Sequence, residues 1–189
     1  LALASAARHV PVGKRCSRLS TDQRFINRCL VEAAKKYRCI IRLKGGDPLL
    51  FGRAEEELAA LRAAAIPVEI VPGITAALAA SAQLGVSLTR RGVARQVTFA
   101  TARVGEGEAA TQWATAVGQS DTAVLYMGVK QAAAISATLL AQGRAADTPV
   151  VVVANASLPD SQHWVTTLAA LPQLSAVQHL EVPAILLLG

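Results

Sequence analysis

At 189 residues, 52% apolar and 17% charged, the chain is long enough to bury a core without disulfide or metal staples, and its composition excludes intrinsic disorder. No run reaches the roughly 18 uninterrupted apolar residues of a membrane helix, and the opening LALASAARHV lacks the basic start of a signal peptide, so a cytoplasmic protein is expected. The net charge of +6 suits an anionic partner, while Cys16, Cys29 and Cys39, with no CxxC spacing, favour neither a disulfide framework nor a zinc site.

Basic residues crowd the first third, from Arg8 through Lys14, Arg15 and Arg18 to Lys44 and Arg53. Few aromatic residues are interleaved with them, which weakens the case for single-stranded nucleic acid. Ser20 to Lys36 has helical spacing, with Ser20 as N-cap and Phe25, Leu30, Ala33 and Ala34 towards one side. Cys39 to Leu43 reads as a buried strand that runs into the turn KGGDPLLFGR, residues 44–53. A helix over Ala54 to Ala64, a strand over Val68 to Val71 and a helix over Thr75 to Leu84 follow, before the polar, basic step Leu88 to Arg95. Beyond it come strands at Val97 to Ala100, Thr122 to Tyr126, Pro149 to Ala154 and Ala184 to Leu188. Lys130 to Gln142 has helical spacing, and Val104 to Glu108 reads as a loop. This alternation predicts an α/β fold with largely parallel or mixed sheets covered by helices. The restart after Arg95 predicts two closely joined lobes, 1–95 and 96–189, with a cleft between them.

Three words stand where strands should end. In LKGGDP, Gly45 and Gly46 remove two Cβ atoms, so that a ligand can approach the main chain, and Asp47 can accept hydrogen bonds from turn amides or from a ligand. An ordinary strand-ending turn has the same composition, and neither a Walker A loop nor GxGxxG is present. In VPGITAALAA, Thr75 opens a helix of small residues that allows close packing, or serves simply as an N-cap. In LYMGV, Met127 could lie against a flat or sulfur-bearing ligand or fill the core. Strand ends of this kind are where open α/β sheets bind ligands. His9, His163 and His179 are scattered, with no catalytic triad and no metal-ligand cluster; His163 reads as a surface strand residue.

The run VGKRCSRLSTDQRFINRCLVEAAKK, followed by IIRLKGGDPLLFGRAEEELAALRAAAIPVEIVPGITAALAASAQLGVSLTRRG, resembles the uroporphyrinogen-III C-methyltransferases of the tetrapyrrole methylase family. The resemblance extends through LYMG, PVVVVANAS and EVPAILLLG, essentially the whole chain. It implies a two-lobed α/β fold and transfer of two methyl groups from S-adenosylmethionine to uroporphyrinogen III, giving precorrin-2 for sirohaem or cobalamin and S-adenosylhomocysteine as the product of the donor. By matching positions it implies cofactor contacts at Gly45, Gly46, Asp47, Leu50, Thr75, Ala76, Met127, Ala156 and Ala184. Lys14 would move a proton, and Arg15, Arg18, Arg53 and Arg91 would meet the carboxylates of the substrate. A homodimer is implied, with no metal, no nucleic acid and no membrane as partners.

The family's first strand, its GxGPGD-type loop and the following acid have no counterpart here, so the chain is expected to start after them. Leu19 stands where a His is usual, FATAR replaces a TGH-like word, and Ala154 replaces a usual Glu. Two rival readings stay open beside the methyltransferase: a silent, partner-binding relic of the family, and a related methylase acting on another substrate such as RNA.

Overall fold

The computed structural model describes residues 7–12, 22–104, 112–178 and 182–189, in two compact units, Leu1–Pro72 and Gly73–Gly189. The division falls upstream of the step after Arg95.

In the first unit, α1 (Gln23–Ala34) packs against α2 (Ala54–Ala63). The N-cap of α1 is Asp22, whose carboxylate accepts from the Arg24 amide at 2.9 Å; the expected cap, Ser20, lies outside the described residues. Gln23 and Ile26 are the buried residues of α1, and Phe25, placed by its spacing on one side with Leu30, Ala33 and Ala34, is 47% exposed. Pairing with α2 sets the buried stripe, and apolarity alone does not reveal which side a neighbour will cover. The strands expected at Cys39 to Leu43 and Val68 to Val71 are not observed. Among the described residues neither segment belongs to a sheet, and Ile41 and Val71 are 78% and 71% exposed. Their β-branched composition favours extended backbone, but a strand exists only when a neighbour takes up its N–H and C=O groups.

The second unit begins with α3 (Ala76–Leu84) and carries one five-stranded mixed sheet. Its strands are β1 (Val97–Thr101), β2 (Thr122–Tyr126), β3 (Pro149–Ala154), β4 (Gln162–Thr167) and β5 (Ala184–Leu188), in the order β1-β2-β5-β3-β4. β1 and β2 are parallel, and every other pairing is antiparallel. β4 was not among the expected strands, because QHWVTT is polar; it pairs on one side only, at the sheet edge, where His163 is exposed.

β5, AILLL, sits at the centre and is buried from Ile185 to Leu188, as a strand covered on both faces must be. On one face, Leu186 and Leu188 join Leu125, Val150 and Val152. That layer is covered by α5 (Ala132–Ala141) through Ile135 and Leu139, with α4 (Trp113–Gly118) supplying Val117 and α6 (Leu171–Gln178) supplying Leu171. α3 packs on β5 with its small residues Ala77 and Ala80 fully buried. Two polar side chains here are paired: the Ser136 hydroxyl donates to the Leu168 carbonyl at 2.6 Å, and Arg144 donates to the carbonyls of Val117, Gly118 and Ser120 where α4 ends, whereas Gln131 Oε1, just before α5, is buried without a hydrogen-bond partner. Among the described residues no helix is long and apolar enough to cross a membrane.

Truncating the fully buried Leu139 to Ala should destabilise the protein by about 2–5 kcal/mol through lost contacts and a residual cavity. Ile41→Ala, at an exposed site, should stay within about 0.5 kcal/mol. Urea unfolding of the two variants against the parent measures both.

Candidate functional site

In the first unit the glycine turn is a closed loop. The Lys44 ammonium donates to the Gly52 carbonyl, joining the ends of residues 44–52. Inside the loop, Gly46 has φ 72°, and the Asp47 carboxylate accepts from the Leu49 amide at 2.9 Å. Gly45 is exposed and a Cβ there would meet nothing within 4 Å, so the main chain is open to an approaching group. At Gly52 the reverse holds: a Cβ would stand 2.8 Å from the Pro48 carbonyl oxygen and 3.1 Å from Lys44 Cε. Only glycine lets the loop close this tightly. Leu50 is half-buried on the same loop.

The Lys44 ammonium also lies 3.0 Å from Glu57 of α2. Glu57 is 4% exposed, and its other oxygen accepts from Arg42 at 3.0 and 3.2 Å and from Gln23 of α1 at 3.2 Å. One carboxylate thus ties the segment before the turn, the turn itself and both helices together. Burial is the largest single influence on this carboxyl and pushes its pKa up. The hydrogen bonds from Lys44, Arg42 and Gln23, with the charge of Arg42, together outweigh burial and hold it below its ordinary value of 4.5.

Arg53, expected to meet substrate, opens α2 with φ 55° and grips Glu56 bidentately at 2.6 and 2.8 Å on the surface. That bond holds the Glu56 carboxyl below its ordinary value. Lys14, Arg15 and Arg18 lie outside the described residues.

In the second unit the expected residues gather at one end of the sheet. β2 and β3 finish there and the antiparallel β5 starts there, with Tyr126 opposite Ile185 and Ala154 opposite Ala184. Met127 follows directly after β2, Ala156 lies two residues beyond the end of β3, and Ala184 opens β5. Met127 is 43% exposed, against the core-filling use that its soft side chain also permits. Thr75 and Ala76 reach the same end through Tyr126. Its hydroxyl lies 2.6 Å from Thr75 Oγ1 and accepts from the Ala77 amide at 3.1 Å, so the start of α3 is held to the last residue of β2. Thr75 is indeed the N-cap residue, but its buried hydroxyl faces Tyr126 and makes no capping bond. The loop after β3 is fixed from α3 as well, by Gln83 Oε1 accepting from the Ser157 amide and the Ser161 hydroxyl. Arg91 is exposed in the turn between Arg90 and Ala94.

The residues that sequence reasoning missed are Arg42, Lys44, Glu57 and Tyr126. An Arg and a Lys in the basic first third and a helix Glu in AEEEL look like solvated charge, and Tyr126 looks like core. A second signal is visible only in the backbone. Among the described residues, the non-glycine residues with left-handed φ are Phe51, Arg53, Ala65, Met127, Asn155 and Ser157. All but Ala65 fall in the glycine turn or at the strand ends just described, and such positions cost on the order of 1–3 kcal/mol each, retained where surrounding structure demands them. A surface depression lined by Asn27, Arg28, Val31, Glu32 and Ala60 includes none of the expected site residues.

The profile of the Tetrapyrrole (Corrin/Porphyrin) Methylases matches residues 1–172. The chain is 43% identical over 183 residues to a siroheme synthase of Zymomonas mobilis, covering 97% of this chain and 38% of that protein. It is 42% identical over 178 residues to siroheme synthase 1 of Klebsiella pneumoniae, covering 94% of this chain and 37% of that one. It therefore spans well under half the length of these curated relatives. Among solved structures, the uroporphyrin-III C-methyl transferase of Thermus thermophilus complexed with S-adenyl homocysteine superposes with a TM-score of 0.77 at 33% identity, over 91% of this chain and 75% of that one. A cobalt precorrin-4 methyltransferase shares the fold with a TM-score of 0.80 at 24% identity, over 90% and 73%.

The depressed Glu57 carboxyl predicts the sign of a pH effect. A group whose folded pKa lies below its unfolded value adds stability that is fully present above the unfolded value, near 4.5, and is lost as pH falls through the folded value. Acid titration of stability should therefore show a steeper loss below pH 4.5 in the parent than in Glu57→Gln, measured by urea midpoints at stepped pH.

Proposed function

The chain belongs to the Tetrapyrrole (Corrin/Porphyrin) Methylases, and from that membership we propose that it serves the S-adenosylmethionine-dependent C-methylation of uroporphyrinogen III at two pyrrole carbons. The product is precorrin-2, for sirohaem or cobalamin. The observation that carries this reading is the meeting of Thr75, Met127, Ala156 and Ala184 at one end of the sheet, in a chain that also presents an open glycine turn at Gly45. The likeness to siroheme synthases and to a uroporphyrin-III C-methyl transferase supports it.

The residues fit such a cofactor chemically. Exposed main chain at Gly45 and Gly46, with the half-buried Asp47 and Leu50 beside it, can accept a polar ligand whose atoms pair with backbone groups. At the sheet end, Ala76, Ala156 and Ala184 are small and partly open, and Met127 offers an exposed thioether. S-adenosylmethionine, when bound, supplies a methyl group on a positively charged sulfur. The work left to the protein is to align a pyrrole carbon with that methyl and to accept a proton afterwards. We assign alignment to the main-chain contacts above and proton transfer to Lys14. Arg15, Arg18, Arg53 and Arg91 pair with substrate carboxylates, Arg53 by exchanging its exposed partner Glu56 for one of them. No metal has a role in this chemistry. The division of labour between lobes 1–95 and 96–189, a homodimeric state and a cytoplasmic location complete the proposal.

Calorimetric titration of the 189-residue chain with S-adenosylhomocysteine tests the reading. Saturable heat at one site per chain is expected, and the absence of any binding heat at millimolar ligand would overturn it.

A further inference from the structure

We propose that Glu57 is the positioning residue of the glycine turn: it holds Lys44 in the clasp that closes residues 44–52, and so presents the Gly45–Gly46–Asp47 main chain in a ligand-ready shape. The inference rests on the reading of that turn as a cofactor contact.

The argument starts from the cost of the loop. Phe51 and Arg53 carry side chains in the left-handed region, and Gly52 between them admits no Cβ. A loop with these features needs external restraint. Lys44 supplies it by donating to the Gly52 carbonyl, and its side chain is only 11% exposed. An ammonium so far removed from water needs a counter-charge, and the nearly buried Glu57 is 3.0 Å away. Arg42 occupies the other oxygen of Glu57, and Gln23 also donates to it, so the carboxylate is fixed from three directions and cannot swing out to solvent. Glu57 itself sits on α2, one turn beyond the strained Arg53 that starts the helix. The anchor of the clasp is therefore rigidly linked to the end of the loop it restrains. No side chain of the cluster is among the expected ligand contacts, so its influence passes through the shape of the main chain.

Glu57→Gln keeps the size of the side chain and turns one acceptor oxygen into a donor that opposes Lys44 or Arg42. Michaelis–Menten analysis of methyl transfer should show KM for S-adenosylmethionine raised at least about tenfold, with kcat and KM for the tetrapyrrole within about threefold of the parent. Lys44→Met should show the same split, and the double variant should add little to either, because both act through one clasp. Arg62→Met, which breaks the exposed Arg62–Glu55 pair on the same helix, should leave all three constants unchanged. A role in fold stability alone would lower the active fraction, seen as a fall in kcat with KM for the methyl donor unchanged, and that result overturns the inference. Unchanged constants in both Glu57→Gln and Lys44→Met overturn it too. Should Glu57→Gln fail to fold, Lys44→Met carries the same test. S-adenosylhomocysteine binding by the parent alongside unaffected variants would refute the clasp and leave the proposed function standing; no binding by the parent would remove both.

Discussion

The first unit depends on one carboxylate. Glu57 is surrounded by an ammonium, a guanidinium and an amide, and it joins α1, α2, the segment before the turn and the turn itself. Buried ion clusters contribute little net stability compared with apolar packing, but removing one member leaves a charge without compensation. Their value lies in geometry, since a carboxylate shared among three donors allows few alternative arrangements. That restriction offsets the cost of the two side chains in left-handed backbone, Phe51 and Arg53.

The second unit is organised differently. Its order comes from a central apolar strand covered on both faces, with α5 packing large side chains on one face and α3 packing alanines beside Tyr126. Small residues in α3 bring its first turn close enough for the Ala77 amide and the Thr75 hydroxyl to reach the Tyr126 hydroxyl. The mixed pairing then decides which residues meet. Because β5 runs against both β2 and β3, its first residue lies at the same end as their last, and three separate words of the sequence meet there.

Much of this was legible in the sequence and some was not, for physical reasons. Strand-length apolar runs located β1, β2, β3 and β5, since a strand buried on both faces has to be apolar throughout. The edge strand β4 escaped notice because QHWVTT is polar. Cys39 to Leu43 and Val68 to Val71 have the composition of strands but lack sheet partners among the described residues, and composition cannot reveal a partner. Glycines marked the turn at residues 45–51 and the end of β2 at Met127, although no sheet strand among the described residues precedes the first. The Glu57 cluster stayed hidden because charged residues 13 and 15 positions apart give no periodic signal. The hydroxyl pairing of Tyr126 with Thr75 spans 51 positions and is equally silent.

The central proposal is that the main chain of the glycine turn, held by the Glu57–Lys44 clasp, contacts the adenosyl cofactor. Amide hydrogen exchange on the chain, with and without saturating S-adenosylhomocysteine, tests it most directly. Slowed exchange in the segment containing residues 45–47 is the predicted result. Unchanged exchange there, or protection centred on the depression between α1 and α2, would contradict it.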